Sequence, residues 1–244
     1  MSAPKPKSNE WIQLLTPSLL EGKNLLSEFE AKRVIAGSKK LPDRYQGLGI
    51  EGLVKIICGD IDEGVELCER SILLAPQDQV TWANYALAFA NKGIHSKQLE
   101  ILRRAVDAVR EPELLSDVII VAAFWIDMDL LNKVVPMYIA MEIQPSETCA
   151  AAISTFDKLL SLGEQVKDLE EVAKAVRKVA ERHNLPPVST QVGDDGYGML
   201  AFSFVVDTDD VALLSTLNDQ LVEEMIGSGL ETSNCIGFFE PKGE

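Results

Sequence analysis

The residues QVTWANYALAFANKGIHS, positions 79–96, decide how the rest of the chain is read. Apolar side chains recur there at spacings of three and four, as one face of an α-helix requires. Gly93 ends the run, because glycine accepts the left-handed backbone of a helix terminus at no steric cost. The same ending lies 34 residues earlier, at Gly59 in IICGDID, and Pro42 and Pro76 are also 34 residues apart. Two different kinds of helix punctuation share one period, the pattern of a repeated helical hairpin. Pro145 extends the register loosely, two periods and one residue beyond Pro76. From Trp11 to about Asn184 the three-and-four spacing persists and no stretch alternates like a strand, so this whole region is expected to be helical.

Counted from Gln79, the unit carries Trp82, Ala86, Phe89, Gly93, Leu102 and Ala105. Counted from Tyr45, it carries Leu48, Gly52, Gly59, Gly64, Cys68, Ser71 and Pro76. In this placement of bulky, small and turn residues the chain resembles the tetratricopeptide repeat family, most clearly over residues 45–112. Small residues let two antiparallel helices approach, glycine makes the turn between them, and proline cannot continue a helix into the next unit. Gln98 stands where the family has a small residue, and Lys55 where it has an aromatic one. Residues 11–42, 113–145 and about 148–183 have hairpin length but lack most of the signature.

The resemblance implies an α-solenoid over residues 11–185, with a concave surface formed by the first helix of each hairpin. Its lining would be Ile50, Leu53, Ile56 and Ile57 in one repeat, Val80, Asn84, Leu87 and Asn91 in the next, and Val118, Val121, Phe124 and Trp125 in a degenerate third. So apolar a groove is expected either to grip an amphipathic helix or extended peptide of a partner, with Phe124 and Trp125 as anchors, or to be filled by the chain itself. Asn84 also stands where the chaperone-tail clamps of the family have an asparagine. Gln46, Ile50, Leu114 and Val118 occupy the other clamp positions, so a carboxylate clamp is not expected.

After Leu185-Pro186-Pro187 the pattern changes, as a proline pair at a domain boundary predicts. VSTQV and GYGMLAFSFVV read as strands, with a hairpin signal at Asp194, Asp195 and Gly196. Leu214, Leu217, Leu221 and Met225 make a helical stripe over about 209–226, and CIGFFE is a third strand. Residues 187–244 are thus expected to form a small α+β domain of β-β-α-β order. So short a chain buries little surface alone, and is expected to dock on the helices or pair with a second copy. The first ten residues read as a tail.

Charge adds a second constraint. The chain of 244 residues has 23 Lys+Arg against 38 Asp+Glu, a net charge of −15. Residues 187–244 hold eleven of the acids and one base, Lys242. Such a balance repels a phosphate backbone, so direct nucleic-acid binding is not expected. Asp194, Asp195, Asp207, Asp209, Asp210, Glu223 and Glu224 form a candidate acidic surface, which could cover a basic protein or toxin. Asp207, Asp209 and Asp210 precede the last helix, where carboxylates also serve as caps.

The cysteines, Cys58, Cys68, Cys149 and Cys235, form no paired motif, and the histidines, His95 and His183, lie at helix boundaries far from any carboxylate cluster. No nucleophile, zinc, phosphate-loop or dinucleotide signature occurs. Neither a catalytic site nor a cofactor is expected. No apolar run approaches a membrane span, and MSAPKPKSNE has no signal-peptide core, so a cytoplasmic location is expected. The reading is a cytoplasmic protein-binding adaptor or chaperone-like protein; the alternative is an acidic inhibitor.

Overall fold

The computed structural model describes residues 7–194 and 198–243. Among these residues are eleven helices and three strands: the protein is mainly helical, with a small three-stranded sheet near its C-terminus. The chain divides into two compact units, Met1–Glu111 and Pro112–Glu244. The division falls between helices rather than at the Pro186-Pro187 pair, because helices preceding that pair pack on the sheet.

The first unit contains α1 (Lys7–Glu21), α2 (Glu28–Ser38), α3 (Arg44–Cys58), α4 (Ile61–Leu74), α5 (Gln79–Ala90) and α6 (His95–Ala108). Of the expected ten-residue tail, residues 1–6 lie outside the described residues, and residues 7–10 are helical instead: α1 starts at Lys7, and Ser8 is already buried in the unit. Ser27 and Glu30 form a reciprocal capping box that starts α2: Ser27 Oγ accepts from Glu30 N at 3.2 Å and Glu30 Oε2 accepts from Ser27 N at 2.9 Å. Gly59, with φ of 100°, ends α3 and turns the chain into α4. From that turn, facing pairs step outward symmetrically: Gly52 lies against Gly64, and Ser71 Oγ donates to Tyr45 O at 2.6 Å, so α3 and α4 are antiparallel.

Pro76 closes this hairpin, and Asp78 opens the next by accepting from Thr81 N at 2.9 Å. Gly93, with φ of 71°, makes the α5–α6 turn. Trp82, Tyr85 and Phe89 are the large buried side chains of α5, with Trp82 Nε1 donating back to Pro76 O at 2.9 Å. The 34-residue punctuation thus marks two consecutive helical hairpins.

The second unit contains α7 (Pro112–Phe124), α8 (Met128–Ile139), α9 (Glu147–Ser161), α10 (Gln165–Arg182), β1 (Ser189–Asp194), β2 (Leu200–Val206), α11 (Val211–Gly227) and β3 (Cys235–Pro241). Asp127 caps α8 by accepting from Leu130 N at 3.1 Å. The turn before it holds Ile126 at φ of 52°, a strained conformation for a β-branched residue that full burial of its side chain sustains.

β1 and β2 are antiparallel, from Ser189 opposite Val205 to Asp194 opposite Leu200. β2 and β3 are parallel and adjacent, with α11 as the crossover. Leu200, Phe202, Phe204 and Val206 share a buried face, as their alternation requires. Gly237 in β3 admits α10 and α11 to this same face: a Cβ there would lie 2.9 Å from Val172 Cγ1 and 3.3 Å from Leu221 Cδ2.

Candidate functional site

The groove residues expected from the repeat pattern fall into both units, and each set is buried against its own surroundings. In the first unit Ile50, Leu53 and Ile57 of α3 are nearly inaccessible, while Asn84, Leu87 and Asn91 on or just beyond α5 are half-buried. Their neighbour is α1, which packs on both α3 and α5. Ser8, Leu15, Ser18 and Leu19 are its buried residues, with Ile12 half-buried on the same side. The spacing of Ser8, Ile12, Leu15 and Leu19 is that of one helical face.

Asn91 is the clearest polar tie in this seat: its Nδ2 donates to Leu19 O at 2.9 Å. Immediately after α1 the chain comes so close that a Cβ on Gly22 would lie 1.8 Å from Asn91 O, and Gly22 takes a φ of 64°. Only glycine fits there. Asn84 spends its side-chain amide on its own helix, donating to Val80 O at 2.9 Å. Beneath the first turns of α1 a cavity of about 100 Å³ remains, lined by Ser8 and Ile12, by Gly49, Ile50 and Leu53, and by Asn84 among others.

A polar cluster ties the two hairpins together on another side of the unit. Arg104 of α6 grips Glu69 of α4 through two parallel bonds, Nη1 to Oε1 at 2.8 Å and Nη2 to Oε2 at 2.6 Å, and Tyr85 of α5 donates to the same carboxylate at 3.2 Å. The Arg104 guanidinium also lies over the Trp82 ring at 5.5 Å. Its hydrogen bonds hold the Glu69 carboxyl below the ordinary carboxylate range, while burial and the adjacent Glu69 charge push the Tyr85 hydroxyl up. These groups hold one another in place.

In the second unit Val118 is buried, and Val121 and Phe124 are half-buried. Trp125 is not an exposed anchor. It follows the last residue of α7 and is 1% exposed, its ring stacked on Phe204 of β2 at 5.6 Å with the Arg177 guanidinium 5.9 Å away. The C-terminal sheet therefore supplies the cover for this part of the expected groove.

The acidic set divides. Asp194, Asp207, Asp209 and Glu223 are exposed, and Asp195 lies outside the described residues. Asp210 caps α11, accepting from Ala212 N at 2.9 Å and Leu213 N at 3.1 Å. Glu224 does not belong to an outward acidic face. It lies on the side of α11 that meets α10, receives Lys178 Nζ at 2.9 Å and pairs with Arg182, and the Lys178 bond, with Arg182 added, holds its carboxyl below the ordinary range.

Remaining candidate chemistry is dispersed. His183 Nε2 meets Gln220 Oε1 at 2.9 Å, and His95 is fully buried. Burial pushes the Cys68 thiol up, away from the reactive thiolate. Among the described residues, no group of three or more His, Cys, Asp and Glu converges as a metal site would need, and no helix is long and apolar enough to cross a membrane.

The helix over residues 11–21 is expected from sequence, but the start of α1 at Lys7 and its seat on α3 and α5 are not. The polar residues before Trp11 read as a tail, which hides Ser8 as the first position of the stripe that continues through Ile12, Leu15 and Leu19. Comparison with protein-family models, curated proteins and solved structures finds no match to this chain.

Proposed function

We propose that this protein is a non-enzymatic scaffold that binds another polypeptide, with α3–α6 as two tetratricopeptide-like repeats of a helical solenoid. The observation that carries this reading is the seating of α1 on α3 and α5: an amphipathic helix lies where the repeat pattern puts a ligand. A partner helix offering apolar residues at the spacing of Ile12, Leu15 and Leu19 would compete for that seat. The protein works in the cytoplasm in this reading, where free thiols such as Cys68 and Cys149 persist.

The second reading, an acidic inhibitor of a basic protein, draws on the exposure of Asp207, Asp209 and Glu223. Affinity capture with the full chain at about 0.1 M and about 0.5 M salt separates the two, because charge-driven binding weakens steeply with ionic strength. A partner retained at high salt, lost from Leu87→Asp and displaced by a synthetic peptide of residues 7–21 supports the scaffold. One lost with salt and indifferent to Leu87→Asp overturns it in favour of the inhibitor.

A further inference from the structure

The two edges of the sheet are treated differently. On β3, the side chain of Asn218 from α11 imitates a neighbouring strand: Nδ2 donates to Phe239 O at 3.0 Å and Oδ1 accepts from Phe239 N at 2.8 Å. That edge is closed at its middle. On β1, among the described residues, no backbone hydrogen bond reaches the side of Ser189–Gly193 away from β2. An open edge is a template for another chain, and proteins blunt such edges with lysine, proline or a bulge. β1, STQVGD, has no lysine, proline or bulge, its one charged residue, Asp194, stands at its end, and its register with β2 runs without interruption.

Beside this edge lies a cleft of about 700 Å³. It touches Val188, Ser189 and Thr190 and then Val192, Gly193 and Asp194. Val188, Thr190, Val192 and Asp194 alternate along the strand and share their face with Leu200 of β2, which also lines the cleft, so the cleft opens at the strand's edge between the sheet and the helices that face it. The opposite wall comes from α7 and α9, where Ala123, Ala151, Ala152 and Thr155 are small and leave room between Phe124 and Leu159. Thr190 Oγ1 donates to Phe124 O at 3.1 Å, pinning the strand to the end of α7.

We propose that the β1 edge and this cleft are a docking site for an extended segment of a partner polypeptide, which adds to the sheet as a fourth strand. The backbone chooses the occupant. Unpaired amide and carbonyl groups recurring along a strand are matched by another extended backbone, whereas a helix has already used its own. The length of β1 sets a paired stretch of about six residues. Alternate side chains of that stretch enter the cleft, which selects apolar ones toward Phe124 and Leu159 and tolerates polar ones on the other face. This surface is independent of the seat that holds α1.

The test is selection of a phage-displayed library of random decapeptides on the full chain, followed by hydrogen exchange of the complex. The expected peptides alternate apolar and polar residues, slow the exchange of alternate β1 amides by about tenfold or more, and lose about tenfold or more in affinity on Ala151→Trp. Ala151 is exposed, so the substitution fills the cleft while the fold is retained, which circular dichroism checks. N-methylation of alternate peptide amides is a second probe and should abolish binding. No selected binder, binders that are helical, or binders that leave β1 exchange unchanged would each overturn the proposal. A dimer of the full chain that protects β1 and excludes the peptides would overturn it in favour of a second copy as the occupant.

Discussion

At Gly52 and Gly64 two helices come together with no room for a side chain on either. A Cβ on Gly64 would lie 2.8 Å from Gly52 O and 2.9 Å from Ile56 N, both backbone atoms that no rotamer change can move. Gly64→Ala should therefore destabilise the protein by about 1–3 kcal/mol through overpacking, despite a helix-propensity gain of about 1 kcal/mol. Urea denaturation reads this as a lower midpoint at unchanged slope; an unchanged midpoint would show that the helices part freely. Both glycines were legible in the sequence as small residues facing each other across a turn. Trp125 was not, because its burial depends on Phe204, a strand residue far along the chain.

Helices α4, α5 and α6 are joined by one carboxylate, and that makes their packing sensitive to acid. Glu69 has its folded pKa lowered by Arg104, so as pH falls the unfolded chain takes up the proton first. Its contribution to stability is complete above the ordinary carboxylate range, about pH 4.3, and is lost as pH falls through the lowered folded value. Glu69→Gln should flatten the pH dependence of stability below about pH 4.5, measured by thermal melts across that window; a slope equal to wild type would assign the acid response elsewhere. The hairpins themselves were legible because Gly59, Pro76, Asp78 and Gly93 act locally. The seat of α1 was not, since nothing local in a helix states which groove it will fill.

Across the molecule, each of the two units has its own core. In the second, Trp125 contacts Phe124, Phe204 and Arg177 with its ring nearly inaccessible. Trp125→Ala should cost that unit about 3–5 kcal/mol. Hydrogen exchange should show amides of α7–α11 and the strands opening more easily while those of α3–α6 keep their wild-type protection. Equal loss in both would mean that the units unfold as one. The order β-β-α-β was legible from alternation and turn residues, yet the face covered by α10 was not, because it depends on Gly237 meeting Val172 across a long separation in sequence.

The parallel pairing of β2 with β3 also fixes a timetable for synthesis. The first unit has all its elements once the ribosome has released Glu111, and its hairpins close between neighbours in sequence. The second cannot finish until α11 and β3 have emerged, because Phe239 packs against Phe204. At about 5–20 residues per second, the nascent chain carries Trp125 and its aromatic neighbours without their final cover for on the order of ten seconds. Slow codons placed between α10 and the end of β3 should lengthen that interval, whereas the same codons before α7 should leave it unchanged.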